Sequence, residues 1–137
     1  FIDFTMKENM AWKVIIVKKE KINKKLIFCF DIDNTICRTI GSDYKGSLPK
    51  KKNIKSINSL HKKGHYIKIF TSRYMGRTNS NSAKAKKIGY KKTFNQLKFW
   101  GLNFDLLIMG KPRFDIYIDD KNLGFKSNWA DHINNKY

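Results

Sequence analysis

The chain has 137 residues, with 29 Lys and Arg against 11 Asp and Glu, a formal charge of +18. That length suits one domain with a real core. No apolar run approaches the ~20 residues of a membrane span, no charged-then-apolar leader is visible, and two cysteines, Cys29 and Cys37, make no disulfide framework.

These features predict a reducing, cytoplasmic setting and no membrane segment. The charge favours anionic partners, which leaves nucleic acid, a small phosphorylated substrate or a general lysine bias. Pairs and triplets such as Lys18-Lys19, Lys50-Lys51-Lys52 and Lys91-Lys92 run along the whole chain. That spread favours solvated lysines over a single nucleic-acid face.

Residues 1–25 carry little information and are set apart from a domain spanning residues 26–137. Trp12 to Val17 reads as a short strand and Lys18 to Lys25 as a charged connector. Leu26 to Phe30 is a compact apolar run without helical periodicity, expected as a strand buried on both faces, with Cys29 in the core. It ends on two carboxylates, Asp31 and Asp33. Ile36 to Leu48, with Gly41 and Gly46, has the composition of a loop or small hairpin. A helix is expected from Pro49 to Lys63, burying Ile54, Ile57 and Leu60 and stopping at Gly64.

Tyr66 to Phe70 is a second strand, ending in Thr71-Ser72-Arg73. Ser80 to Lys87 is helical in tendency, Gly89 is an expected interruption, and Thr93 to Phe99 is a further helix with Phe94, Leu97 and Trp100 on its core side. Phe104 to Met109 is a third strand, leading into Gly110-Lys111-Pro112. Phe114 to Ile118 is expected as a fourth, ending on Asp119-Asp120, and Asn128 to Ile133 as a short closing helix. His61 and His65, four apart without a Cys or third His nearby, read as solvated or structural side chains rather than metal ligands.

Polar residues thus follow several strands of an α/β pattern. In a parallel sheet such ends gather on one edge, where ligands bind. The set is complete for phosphoryl transfer. One carboxylate can attack phosphorus, and a second can protonate the leaving oxygen and later deprotonate water. A hydroxyl and a lysine can hold the nonbridging oxygens. Paired acids also suit Mg²⁺, which takes carboxylates together with substrate phosphate.

In this order the motifs resemble those of the haloacid dehalogenase (HAD) superfamily of aspartate-nucleophile phosphatases. Phe30-Asp31-Ile32-Asp33-Asn34-Thr35 is similar to the first motif and Phe70-Thr71-Ser72-Arg73 to the second. Gly110-Lys111-Pro112 is similar to the third and Ile118-Asp119-Asp120 to the fourth. The resemblance covers Leu26 to Lys121, and more narrowly looks like small cap-less members linked to capsular or surface polysaccharide biosynthesis.

It implies a Rossmann-like three-layer α/β sandwich with a mainly parallel central sheet and no large cap domain. Asp31 would be the nucleophile and a metal ligand. Asp33 would be the general acid/base, with its backbone carbonyl on the metal. Thr71 would hydrogen-bond the transferring phosphoryl group, Lys111 would clamp it, and Thr35 would brace the turn. Ser72 and Arg73 would add substrate or phosphate contacts. Asp119 and Asp120 would complete a Mg²⁺ site. Asn34 stands where many members have Gly. The implied activity is a Mg²⁺-dependent phosphomonoester hydrolase acting through an aspartyl-phosphate, on a sugar phosphate or similar small metabolite. Its open site would suit a bulky substrate or closure by a neighbouring subunit in a homo-oligomer. The alternatives are a nucleic-acid 3′-end phosphatase and a non-catalytic phosphate- or partner-binding domain of a larger biosynthetic protein.

Overall fold

The computed structural model describes residues 24–137; the Trp12 to Val17 strand expectation lies outside them. Three strands form a parallel sheet in the order β1 (Ile27–Phe30), β4 (Tyr66–Thr71), β5 (Leu106–Met109). Between β1 and β4, a two-residue antiparallel pair, β2 (Cys37–Arg38) and β3 (Leu48–Pro49), holds the ends of the 39–47 loop together. Three α-helices lie among the described residues: α1 (Lys51–Lys62), α2 (Ser82–Phe99) and α3 (Trp129–Lys136). None is long and apolar enough to cross a membrane. This is a small α/β fold of the kind expected.

Cross-strand register shows where the core sits. Phe28 and Phe30 lie beside Ile67 and Ile69, and Ile69 and Thr71 lie beside Leu107 and Met109. Neighbours in register share a sheet face, and this face is the buried one. α1 turns Ile54, Ile57 and Leu60 into the same core. α3 packs along α1, with Trp129 on Phe30 at 5.4 Å between ring centroids.

The opposite face carries Ile27, Cys29, Tyr66 and Leu106, all exposed, with Ile27 at 68%. The expectation that the first strand is buried on both faces therefore does not hold among the described residues, and Cys29 is not a core residue.

Three further boundaries differ from expectation for local reasons. Pro49 does not open α1. It pairs with Cys37 in the β2–β3 ladder, and the helix starts two residues later. α2 is one continuous helix through Gly89, capped at its start by the Asn81 side chain, which accepts from Lys84 N–H at 3.0 Å. Its buried residues Ala85, Gly89, Thr93 and Leu97 recur every fourth position.

Gly89 marks a close approach rather than a break, because a Cβ there would overlap the Tyr74 ring. Gly89→Ala is accordingly expected to destabilise by about 2 kcal/mol. The overpacking outweighs the ~1 kcal/mol that Ala gains in helix propensity. Urea denaturation checks this, and an equal or higher midpoint would contradict it.

The third difference is the expected fourth strand. Phe114–Ile118 forms no ladder, and its apolar side chains stand exposed, with Ile118 at 91%. Apolar alternation alone predicted a strand, but in this arrangement no sheet edge takes the segment up.

His65 joins the start of β1 to the end of α1. Its Nδ1 accepts the Leu26 N–H at 3.0 Å, and its ring stands nearly perpendicular to the Phe28 ring with 5.2 Å between centroids. Burial, with Lys25 and Lys63 adding to it, holds the imidazole below the usual histidine range. The unfolded chain therefore binds this proton at higher pH than the folded one. The stabilisation is present above the unfolded histidine's range and is lost as pH falls through the folded value. Unfolding free energy is expected to drop on acidification below about pH 6.5, and a His65→Gln variant is expected to lack that drop. Identical pH profiles for the two proteins would contradict it.

Candidate active site

The turn after β1 is built on one carbonyl. Ile32 C=O accepts the N–H groups of Thr35, Ile36 and Cys37 at 3.1, 2.8 and 3.3 Å. Asn34 takes a left-handed conformation there, with φ of 62°, which Asn tolerates better than most residues. Its side-chain oxygen accepts Thr39 N–H at 3.2 Å. The turn thus puts Asp31 and Asp33 at the carboxyl end of β1, as the sequence predicts.

Asp31 is half-buried. Thr35 Oγ1 donates to its Oδ2 at 3.3 Å. Lys111 Nζ lies 3.4 Å from its Oδ1. Burial pushes the Asp31 carboxyl above the usual carboxylate range, with the Lys111 ammonium opposing that shift. Lys111 reaches this place because Gly110 turns with φ of 88° at the end of β5 and Lys111 N–H bonds Thr71 C=O at 3.0 Å. Its ammonium also lies over the Phe114 and Tyr117 rings, at 5.3 and 5.4 Å. Asp31, Ser72, Lys111, Pro112, Arg113 and Phe114 line an open cleft of about 240 Å³.

The other expected site residues are placed differently. Thr71 is 0% exposed, and its hydroxyl accepts Arg73 N–H at 3.1 Å, so Ser72 is the hydroxyl on the cleft. Arg73 does not line the cleft. It is 1% exposed, and its Nε and Nη2 both engage the Asp33 carboxylate. A bare Thr-Ser-Arg motif does not distinguish an arginine facing outward from one buried in an ion pair.

Asp119 and Asp120 are exposed and do not line the cleft. Asp119 Oδ1 accepts Lys121 N–H at 2.9 Å and its Oδ2 accepts the Tyr117 hydroxyl at 3.2 Å. The Lys121 N–H is the main reason its carboxyl sits below the usual range. The donors therefore do not fit the expected Mg²⁺ site. The Asp119-Asp120 pair lies away from Asp31, and among the described residues no group of three or more His, Cys, Asp or Glu could hold an ion. The histidines add none: His61 instead faces Asp105, at 3.3 Å.

Sequence reasoning missed Thr39, Ser47 and Gln96, which surround Asp33 and Arg73, and Arg113 and Phe114, which line the cleft. The last two directly follow Gly110-Lys111-Pro112, and that adjacency was a usable signal. Gln96, deep in a helix, gave none.

No protein-family model matches the chain, and no curated protein matches it. A crystal structure of a structural-genomics target from Vibrio cholerae is similar, with a TM-score of 0.67 and 24% identity. The match covers 82% of this chain and 98% of that one. It shows a shared fold.

Proposed function

We propose that this chain is a phosphomonoester hydrolase of the haloacid dehalogenase type, acting on a small substrate such as a sugar phosphate. The observation that carries the reading is Asp31: a half-buried carboxylate at the end of a parallel strand, on an open cleft, 3.4 Å from the Lys111 ammonium. An Asp–Lys pair there supplies a nucleophile and a cation for the phosphoryl oxygens. The four motifs in order add support. The narrower likeness to cap-less members suggests a role in polysaccharide biosynthesis.

The steps use the chain's own groups. An Asp31 oxygen forms a bond to phosphorus as the ester P–O bond breaks, and the leaving oxygen takes a proton from Asp33. Water then gives a proton to Asp33 and its hydroxyl to phosphorus. The acyl-phosphate bond breaks, releasing inorganic phosphate and the Asp31 carboxylate. Lys111 and Ser72 hold the nonbridging oxygens throughout.

Phosphate release from sugar phosphates, nucleotides and 3′-phosphorylated oligonucleotides tests this, with Mg²⁺ and with a chelator, at low and moderate salt. Turnover of a sugar phosphate is the expected result. Preference for the oligonucleotide with steep salt loss would transfer the reading to nucleic-acid ends. Release from no substrate would favour a binding domain.

A further inference from the structure

Two cations line the cleft, Lys111 and Arg113, and their surroundings differ. The Lys111 ammonium lies 3.4 Å from Asp31 Oδ1 and over the Phe114 and Tyr117 rings. Arg113 is exposed, and no ion pair among the described residues includes it. The arginines of the neighbouring loop are engaged within the chain. Arg73 is buried against Asp33, Gln96 and the Tyr44 ring. Arg77 Nη2 donates to Ser42 C=O at 3.1 Å, and its guanidinium lies over the Tyr44 and Tyr74 rings. The Arg113 guanidinium is seated instead on Gly76. A Cβ at residue 76 would stand 3.2 Å from Arg113 Nη1 and 3.6 Å from its Cζ, and Gly76 is not among the glycines with positive φ. Glycine therefore serves there by leaving space, not by its backbone freedom. A turn closed by Met75 N–H to Ser72 C=O, at 3.1 Å, leads from Ser72 on the cleft to this seat. Lys111 thus stands at Asp31, and Arg113 stands at the loop beyond Ser72.

We propose that Arg113 is a specificity-determining residue that receives a second anionic group of the substrate, a carboxylate or a further phosphate, while the reacting phosphate lies at Asp31, Ser72 and Lys111. This rests on the hydrolase reading and narrows its substrate class to doubly anionic sugar phosphates. A guanidinium presents parallel N–H donors that match the oxygens of a carboxylate or a phosphate. The cleft, at about 240 Å³, is below the ~300–1,000 Å³ of sites for drug-sized ligands. It suits a substrate whose two anionic groups stand one sugar apart.

Two pairs of esters test it. Sorbitol 6-phosphate and 6-phosphogluconate share a chain and a phosphate and differ at the far end, hydroxymethyl against carboxylate. Fructose 6-phosphate and fructose 1,6-bisphosphate make the same comparison for a second phosphate. The wild-type chain is expected to favour the anionic member of at least one pair about tenfold in kcat/KM, chiefly through a lower KM, because a contact remote from the reacting phosphate is made equally before and during the reaction. The pair that shows the preference names the group. Arg113→Gln is expected to remove most of that preference. Three results would overturn the inference alone: no preference in the wild-type chain, a preference that survives Arg113→Gln as a general effect of the +18 charge would, or equal losses on both members of a pair, which would assign Arg113 to the reacting phosphate. Hydrolysis of none of the four esters would overturn the sugar-phosphate hydrolase reading and this inference with it.

Discussion

Asp31→Asn is expected to release less than about one-thousandth of the wild-type phosphate while melting no lower than the wild-type chain at pH 7. The first half follows from the chemistry, because an amide oxygen cannot form the acyl-phosphate and general base catalysis by the remaining groups does not replace a lost nucleophile. The second half follows from burial. The folded chain holds the Asp31 proton to higher pH than the unfolded chain does, because desolvation disfavours the carboxylate more than Lys111 favours it. Stability from this group is complete below the unfolded carboxylate range and is lost as pH rises through the folded value. At neutral pH the ionised side chain therefore costs the fold something, and Asn removes that cost. Phosphate release and thermal melts check both halves. Retained turnover would remove Asp31 as the nucleophile, and a lowered melting temperature would contradict the desolvation argument.

Asp33→Ala is expected to lose turnover as well, but with the opposite effect on the fold, a destabilisation of about 3 kcal/mol. Arg73 is 1% exposed and the Asp33 side chain 23%. Removing the carboxylate leaves a buried guanidinium with Gln96 Oε1 as its main remaining acceptor. Breaking a buried pair from one side costs about 3–5 kcal/mol, and access of water to the Asp33 side places this case at the lower end. The measurement is a urea titration at pH 7, with a lower midpoint and an unchanged slope expected. Wild-type stability would mean that Arg73 does not depend on Asp33, and the network behind the site would fail as an explanation. The two acids, one residue apart in the same motif, are thus separable by stability although both are needed for chemistry.

Much of this arrangement was legible in the sequence. The runs at Leu26 to Phe30, Tyr66 to Phe70 and Phe104 to Met109 marked the three strands. The acids, the hydroxyls and Lys111 stood at their carboxyl ends. α1 was visible from Ile54, Ile57 and Leu60. What the sequence could not show was direction and partnership. Thr71-Ser72-Arg73 reads the same whether Arg73 faces substrate or lies buried against Asp33, and only the positions of Gln96 and Tyr44 decide it. Gly89 reads as a helix break until the Tyr74 ring is seen lying against it. Phe114 to Ile118 alternates like a strand, but alternation does not supply a neighbouring strand to pair with. The exposed face of β1 was misread for a related reason. A short apolar run reports the strand, not how many layers cover it.

The central claim is that Asp31 becomes covalently phosphorylated during turnover. Acid quenching of the wild-type chain with an excess of a hydrolysed sugar phosphate, followed by peptide mass analysis, tests it directly. The account predicts one phosphoryl group on the peptide containing Asp31, labile to hydroxylamine and absent from Asp31→Asn. Steady release of phosphate by the wild-type chain with phosphorylation of a different residue, or continued release by Asp31→Asn, would contradict it.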